Sequence, residues 1–286
     1  MPSAARDPAH RTDDPRPGTP ADTVLVVPCF NEEDRLPVAV LREGLEQDPL
    51  LGLVLVDDGS TDATLGRLAE VRRGFEARVH VESLPHNAGK GAAVRHGVLR
   101  ALGGGPRFIG YWDADLATPL AAVRDLRDVL ERRPQVLLVM GSRLQALGRR
   151  VQRSALRHYA GRVMATLIAR SVGLATYDTQ CGAKLLRAGP TAARLFQEPF
   201  LTRWLFDVEI LARLRRLHRQ GAAGAPEEVV HEHPLEEWND VPGSKVRPWD
   251  FFRALRDLRR IRKAYEPRED GPPAPGDAVT PPPSPR

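Results

Sequence analysis

The stretch Phe108-Ile109-Gly110-Tyr111-Trp112-Asp113-Ala114-Asp115 is an apolar run that ends in two carboxylates one residue apart. We interpret the run as a buried strand, which places Asp113 and Asp115 at its carboxyl end, where open α/β sheets form their ligand crevice. Strand alternation predicts that both side chains point the same way. One or two carboxylates, completed by water and substrate phosphate oxygens, are the usual ligands of Mg²⁺ or Mn²⁺. The pair therefore predicts a divalent metal site, with a solvated turn or a helix cap as the alternative.

Around this stretch, apolar β-branched runs alternate with helical patterns, which is typical of parallel βαβ units and a doubly wound sheet. The first half contains the following predicted elements in order: a strand over 24–27, a helix over 31–47, a strand over 51–56, a helix from about 63, a strand over 79–84, a helix after Gly91, a strand over 108–112, a helix over 120–132 and a strand over 136–140. Beyond Gly141 the pattern predicts two amphipathic helices with basic faces, over 149–170 and 249–265.

Length and composition limit the possible classes of protein. The 286 residues are 42% hydrophobic, as expected of a globular chain with a core. Residues 1–22 and 266–286 are rich in Pro and lack apolar periodicity, so we predict two disordered tails. Two cysteines are too few for a disulfide framework or a thiolate cage. Without a signal peptide or a spanning segment, we expect a cytoplasmic protein, peripheral on the inner face of the membrane.

The net charge of +5 indicates a polyanionic partner. The basic residues concentrate in the two amphipathic helices, and in helix 249–265 they are interleaved with Phe251 and Phe252. This composition favours a helix in the headgroup layer of an anionic membrane over a nucleic-acid-binding module. The alternative for each helix is a face packed on the domain and a solvated basic face.

Two further acidic motifs follow predicted strands. Pro28-x-x-Asn31-Glu32 comes after the first strand, and Asp57-Asp58-Gly59-Ser60-x-Asp62 comes after the second. Both loops therefore reach the sheet edge that carries Asp113 and Asp115. A carboxylate there can accept the imide N–H of a uracil ring. Each motif alone also fits a capped turn, but three at successive strand ends predict one nucleotide site.

Together with Asn87-x-Gly89-Lys90-Gly91, these motifs resemble the nucleotide-sugar half of a family-two glycosyltransferase. The second half is similar to the polyprenyl-phosphate branch of that family, first to dolichyl-phosphate β-glucosyltransferases and next to dolichyl-phosphate mannose synthases. Its motifs are Gly141-Ser142-Arg143, Asp178-Thr179-Gln180-Cys181-Gly182-x-Lys184, Trp204-x-Phe206-Asp207-x-Glu209 and Trp238-x-x-x-x-Gly243-Ser244-Lys245.

The resemblance covers 23–265 and implies the GT-A nucleotide-diphospho-sugar transferase fold, a mainly parallel doubly wound α/β sheet with helices on both faces. It divides the domain into a nucleotide-sugar half, 23–145, and an acceptor half with the basic helices, 146–265. One departure concerns Phe200, which stands where processive relatives carry the Gln of Gln-x-x-Arg-Trp. We therefore expect an enzyme that does not polymerise.

The resemblance also implies roles for particular residues. The nucleotide sugar would contact Pro28, Glu32, Asp57, Asp58, Lys90 and Asp113. Asp113 and Asp115 would hold Mg²⁺ or Mn²⁺, and the catalytic pair would be Asp115 and Arg143. The acceptor phosphate would meet Arg143, Lys245 and Lys184, because guanidinium and ammonium groups suit phosphate oxygens. A surface ion pair is the alternative for Arg143, and a solvated loop position is the alternative for Lys245.

The implied reaction is an inverting transfer of glucose from UDP-glucose to a polyprenyl phosphate. A phosphate with a second pKa of about 6 is already ionised at neutral pH, so the reaction requires no general base. His231 and His233 alternate before Pro234, as neighbours on one face of an edge strand do, with a metal pair as the alternative. GDP-mannose is the alternative donor, and a soluble compound is the alternative acceptor. The family's eukaryotic glucosyltransferases carry a membrane anchor, so here we expect the basic helices or a membrane partner protein to reach the lipid.

Overall fold

The computed structural model describes residues 21–144, 150–151, 176–239 and 248–265. The predicted tails, apart from residues 21–22, lie outside these ranges, as does most of the helix predicted over 149–170. The elements in chain order are β1 (Thr23–Cys29), α1 (Val38–Gln47), β2 (Leu51–Asp57), α2 (Thr64–Arg72), β3 (Val79–Ser83), α3 (Lys90–Leu102), β4 (Phe108–Trp112), α4 (Ala122–Arg132), β5 (Leu138–Ser142), β6 (Arg150–Val151), β7 (Ala183–Arg187), α5 (Pro190–Gln197), α6 (Phe206–Arg219), α7 (Pro226–Val229), β8 (Val230–Pro234), β9 (Glu237–Trp238) and α8 (Pro248–Tyr265).

These strands build a seven-stranded sheet in the order β3-β2-β1-β4-β7-β5-β8. β3, β2, β1 and β4 run parallel to one another, and β5 is parallel to β8. β7 runs antiparallel to both of its neighbours, β4 and β5. A strand from the predicted acceptor half is thus inserted between two strands of the nucleotide-sugar half. β6 and β9 form a separate short parallel pair.

Helices cover both faces of the sheet. One apolar cluster joins α3, α5, α6 and α8 to the sheet, and the other joins α1, α2 and α4 to its opposite face. β2 and β4 are buried along their whole length, which explains why both read as continuous apolar runs. Gly97 lets α3 pack closely, because a Cβ there would overlap Val26 and Val56. The predicted doubly wound, mainly parallel α/β fold is confirmed.

Several predicted boundaries were wrong. The first helix begins at Val38 rather than Asn31, since Asn31 has a φ of 51° and Pro37 disfavours a helical conformation at the residue before it. β5 begins and ends two residues later than predicted. The helix predicted from Arg149 does not begin there, because Arg150–Val151 is strand β6. The sequence analysis did not predict β7, α5, α6 or α7.

The helix predicted over 249–265 is confirmed as α8, and it packs on the domain. Leu258, Ile261 and Tyr265 are at most 8% exposed and join the core. The basic side chains of its described part are exposed: Arg253, Arg256, Arg259, Arg260, Arg262 and Lys263. The side chains of Phe251 and Phe252 lie outside the described part. Over its second half, therefore, α8 matches the alternative of a packed helix with a solvated basic face.

Among the described residues, no helix is both long and apolar enough to cross a bilayer. His231 and His233 lie on β8, the edge strand, as predicted.

Candidate active site

The loops after β1 and β2 are joined by hydrogen bonds at the carboxyl edge of the sheet. Asn31 donates its backbone N–H to Ser60 Oγ at 3.0 Å, and its side-chain oxygen accepts the Thr61 N–H at 2.9 Å. Asn tolerates the left-handed conformation that this geometry requires. Asp57 accepts the Ser60 N–H and the Ser83 hydroxyl, both at 3.1 Å. The Asp57 carboxylate therefore joins the loop after β2 to strand β3.

Glu32 and Pro28 lie on the same edge. The Glu32 N–H donates to Thr64 Oγ1 at 2.8 Å, which ties the β1 loop to the start of α2. Its carboxylate accepts two hydrogen bonds from Arg35, at 2.6 and 2.7 Å. Pro28 is partly buried in β1. Their contact with a nucleoside stays a prediction.

Asp58 fixes the loop over 86–91. Its two carboxylate oxygens accept the N–H groups of Ala88 and Gly89, each at 2.8 Å. The side chain is almost fully buried, and desolvation raises the pKa of the Asp58 carboxyl although the two N–H donors oppose that rise. The loop that leads into α3 therefore depends on this carboxylate.

Lys90 is the first residue of α3 and forms an ion pair with the first of the two acids. Its Nζ lies 2.5 Å from Asp113 Oδ1. The ammonium also lies 5.7 Å from the ring centre of Trp204 and 5.8 Å from that of Phe206. Desolvation acts to lower the pKa of Lys90, but the carboxylates around it, Asp113 first, outweigh that effect and raise the pKa.

Asp113 and Asp115 lie in the turn after β4 rather than in the strand itself, because β4 ends at Trp112. Asp115 is exposed and accepts the Ala117 N–H at 3.1 Å. Partial desolvation and then the charge of Asp113 raise the pKa of Asp115. Desolvation also acts on Asp113, but Lys90 outweighs it and lowers the pKa of Asp113. The two carboxylates are thus close enough to influence each other, as the motif predicts.

The donor set at this edge fits a hard cation that shares its ligands with a substrate. In the described part of the chain, no three His, Cys, Asp or Glu side chains converge as a metal cage. Mg²⁺ is commonly held by one or two carboxylates together with substrate phosphates and waters. Asp113 and Asp115 provide such a pair.

Gly182 makes room for Asp113. A Cβ at position 182 would overlap the Asp113 carboxylate, and the Asp113 N–H donates to the Gly182 carbonyl at 3.1 Å. The glycine of the Asp-Thr-Gln-Cys-Gly motif is therefore in direct contact with Asp113, the first of the two acids.

Arg143 is held by Asp178 in a two-pronged ion pair. Its Nε and Nη2 donate to the two Asp178 oxygens at 2.6 and 2.7 Å, and its backbone N–H donates to one of them at 3.1 Å. Its guanidinium lies 5.4 Å from the ring centre of Trp238. Glu232 on β8 accepts the N–H groups of Tyr177 and Asp178, which fixes the segment that carries the partner carboxylate. The guanidinium is thus oriented from two sides.

The position of Lys184 differs from the predicted one, which had this residue at the acceptor phosphate. Its side chain is buried inside the sheet, with Nζ 2.6 Å from Asp207 Oδ1 and 2.5 Å from the Cys181 carbonyl oxygen. Tyr111 donates its hydroxyl to the same Asp207 oxygen at 2.5 Å. An ammonium with these internal partners and no exposure is not placed to meet an acceptor phosphate. Lys245, the other predicted lysine, lies outside the described residues.

Two residues beside Lys90 received no role from the sequence. Arg203 contacts Asn87 through its side chain and packs against Gly89, where a Cβ would overlap it. Trp204 is 56% exposed, and its ring lies beside the Lys90 ammonium. The sequence contains the Arg203-Trp204 motif, but it did not predict that these residues lie close to Lys90.

The fold and the residues at the carboxyl edge of the sheet indicate the class of protein. Glucosyl-3-phosphoglycerate synthase from Mycobacterium tuberculosis, solved with phosphoglyceric acid, superposes with a TM-score of 0.57 at 18% identity, covering 85% of this chain and 80% of that one. The structure thus has the GT-A fold of nucleotide-sugar transferases. The model of Glycosyl transferase family 2 matches residues 24–193. The chain belongs to glycosyl transferase family 2 and is a glycosyltransferase.

Two relatives extend the comparison beyond this shared region. The dolichyl-phosphate beta-glucosyltransferase of Mus musculus is 33% identical over 84% of this chain and 75% of its own length. The dodecaprenyl-phosphate galacturonate synthase of Rhizobium johnstonii is 35% identical over 64% of this chain and 52% of its own. The family resemblance read from the motifs is confirmed.

Proposed function

We propose that this glycosyltransferase moves glucose from UDP-glucose to a polyprenyl phosphate, with inversion at the anomeric carbon. The observation that carries the proposal is the meeting of Asp113, Asp115 and Lys90 at one sheet edge, where two carboxylates and a cation can receive a metal-bound diphosphate. The names of the relatives support the lipid acceptor, since dolichyl and dodecaprenyl phosphates are both polyprenyl phosphates.

On the donor side, Pro28 and Glu32 contact the nucleoside, and Lys90 contacts the diphosphate. Asp58 shapes the loop over 86–91 through its two backbone hydrogen bonds, and Asp57 holds the neighbouring turn. Asp113 and Asp115 hold Mg²⁺ or Mn²⁺. When bound, that cation neutralises the charge of the departing nucleoside diphosphate.

On the acceptor side, Arg143 receives the lipid phosphate while Asp178 keeps its guanidinium in a fixed orientation. Lys245 is a second candidate contact. Lys184 organises the site through Asp207 and does not touch the acceptor. Holding an ionised phosphate in line with the anomeric carbon requires only positioning, which accounts for a single displacement without a general base.

Access to the lipid depends on the basic surface of α8. Its exposed arginines and Lys263 suit an anionic headgroup layer, and its buried face anchors the helix on the domain. We propose a cytoplasmic protein that works on the inner face of the membrane, alone or with a membrane partner protein.

The test is a transfer assay with UDP-glucose and GDP-mannose in parallel, each with a short-chain polyprenyl phosphate and Mg²⁺ or Mn²⁺. A UDP-galacturonate arm covers the sugar that one relative's name indicates. We expect a glucolipid from UDP-glucose alone and no product in EDTA. Product from GDP-mannose or UDP-galacturonate instead would refute the glucose assignment. UDP binding without any lipid product would refute the lipid acceptor and favour a soluble one.

A further inference from the structure

The ion pair between Lys90 and Asp113 lies at the surface of the site. Their side chains keep 20% and 36% of their exposure, whereas those of the neighbouring pair of Lys184 and Asp207 keep 1% and 5%. The two ion pairs are similarly short, at 2.5 and 2.6 Å. Only the first can open without disturbing packed core residues.

The backbone below Lys90 is fixed, but its side chain is long. Gly89 has a φ of 98°, and its N–H is held by Asp58 at 2.8 Å. The ammonium of a lysine is a point charge on a flexible four-carbon stem, so it can change partners while its Cα stays in place. The rings of Trp204 and Phe206 line the space around it.

Asp113 is also one of the two carboxylates assigned to the cation, so this inference rests on the proposed function. An ammonium and a divalent cation on one carboxylate repel each other strongly at such short range. A nucleoside diphosphate offers the ammonium a new anionic partner. We propose that Lys90 is the counter-ion of Asp113 in the free enzyme, and that it moves to the donor diphosphate when metal and nucleotide bind.

This exchange makes the two ligands cooperative. Metal alone must compete with Lys90, and nucleotide alone must draw Lys90 away from a carboxylate that would be left uncompensated. Each ligand removes the obstacle for the other, and the coupling must be equal in both directions. Loss of the Lys90 charge should therefore affect the two ligands in opposite senses.

The experiment measures Mn²⁺ binding without nucleotide, by electron paramagnetic resonance of free Mn²⁺, and UDP binding at saturating Mn²⁺, by calorimetry. For Lys90→Met we expect Mn²⁺ alone to bind about tenfold more tightly and UDP about tenfold more weakly. Lys90→Arg keeps the charge and should bind Mn²⁺ alone as weakly as the wild type. Arg100→Met removes an exposed cation from the last turn of the same helix and should change neither constant.

The proposal is overturned if Lys90→Met binds Mn²⁺ alone no more tightly than the wild type, or if Lys90→Arg gains as much as Lys90→Met. Circular dichroism checks the fold, and Lys90→Gln replaces Lys90→Met if the latter does not fold. A wild-type protein that binds no UDP, with or without Mn²⁺, would refute the proposed function itself. Normal cooperative binding that Lys90→Met leaves intact would refute only the exchange.

Discussion

Asp113 and Asp115 are chemically identical and one residue apart, yet the pKa values of their carboxyl groups shift in opposite directions. Lys90 lowers the pKa of Asp113, whereas desolvation and the neighbouring charge raise that of Asp115. Asp113 is therefore already paired in the free protein, while Asp115 is exposed. Of the two, Asp115 is the carboxylate whose loss disturbs the fewest internal contacts.

Asp115→Ala should lower the transfer rate on the order of 100-fold or more, because one of the two carboxylates proposed for the cation is removed. The circular dichroism spectrum should not change, since the hydrogen bond that the Asp115 side chain accepts from Ala117 lies within its own turn. Asp128→Ala, an exposed acid on α4, serves as the control. Normal activity of Asp115→Ala would rule out this metal assignment.

Lys184→Met should lower the free energy of unfolding by about 3–5 kcal/mol, because the buried carboxylate of Asp207 would lose its cation. The double variant Lys184→Met/Asp207→Asn removes both charges and should recover most of the loss. Urea unfolding measures both. A loss below about 1 kcal/mol for the single variant would show that the buried pair is not structural.

Motif spacing predicted which residues meet at the sheet edge, but not what each one contacts. Lys90, Asp113 and Asp115 converge as expected because consecutive parallel strands end at one edge. The burial of Lys184 was not predictable, since its partner Asp207 is 23 positions away on a helix whose packing the pattern does not encode. The distance between Arg203 and the loop over 86–91 likewise depends on tertiary packing.

At the scale of elements, periodicity identified the strands and helices with one clear polar side or none. It missed α6, because ten of its fourteen residues are buried, including Asp207, Glu209 and Arg213, so charged residues interrupt the apolar pattern. It missed β7, since a lysine is the second residue of this five-residue strand and an arginine is the last. In a sequence, a charged residue that is buried and paired cannot be distinguished from a charged residue at the surface.

The segment before β7 can be tested with glycine substitutions. Gly182→Ala should weaken UDP–Mn²⁺ binding at least about tenfold, because the new Cβ would displace the Asp113 carboxylate. Gly66→Ala, in α2 with open space around it, should leave binding unchanged and stabilise the fold by about 0.5–1 kcal/mol. Calorimetry and urea unfolding give the two readouts. Unchanged binding in Gly182→Ala would contradict the contact.

The end of α8 is joined to α6 through a buried network. Tyr265 donates its hydroxyl to Glu209 at 2.9 Å and accepts from Arg213 Nε at 3.1 Å. Arg213 also donates to the carbonyl groups of Glu198 and Pro199, at 2.8 and 2.7 Å. The segment that leads to Arg203 and Trp204 is thus tied to α8.

Tyr265→Phe should cost about 1–3 kcal/mol at pH 8, because Glu209 and Arg213 each lose a buried partner. Desolvation, and then Glu209, raise the pKa of the Tyr265 phenol. The folded state therefore holds this proton more tightly than the unfolded chain, so the stabilisation is complete below a pH of about 10 and is lost as pH rises beyond it. Urea unfolding at pH 8 and pH 11 should show a smaller difference between wild type and variant at pH 11. An equal difference would contradict the shift.

At the scale of the whole molecule, the basic residues of α8 lie on one exposed surface. We expect the protein to bind vesicles with anionic lipid at low salt and to leave them as added salt shortens the Debye length to about 3 Å at 1 M. The triple variant Arg256→Glu/Arg259→Glu/Lys263→Glu should lose vesicle binding. The matched triple Arg72→Glu/Arg73→Glu/Arg100→Glu, on α2, its C-terminal turn and α3, should bind like the wild type. Sedimentation with vesicles measures both, and preferential retention of a DNA duplex would favour the nucleic-acid alternative.

The position of β7 has a consequence for folding during synthesis of the chain. Strand β4 ends at Trp112, but its neighbour β7 begins only at Ala183. Until the seventy residues between them have been synthesised, β4 has an unpaired backbone edge, and so has β5 once Leu138–Ser142 has been made. Unpaired strand edges are templates for pairing with other chains, which leads to aggregation. The sheet can be completed only after β7, which is distant in sequence from β4, has been synthesised. We expect the nascent chain to be most prone to aggregation before the Asp-Thr-Gln-Cys-Gly segment has emerged from the ribosome.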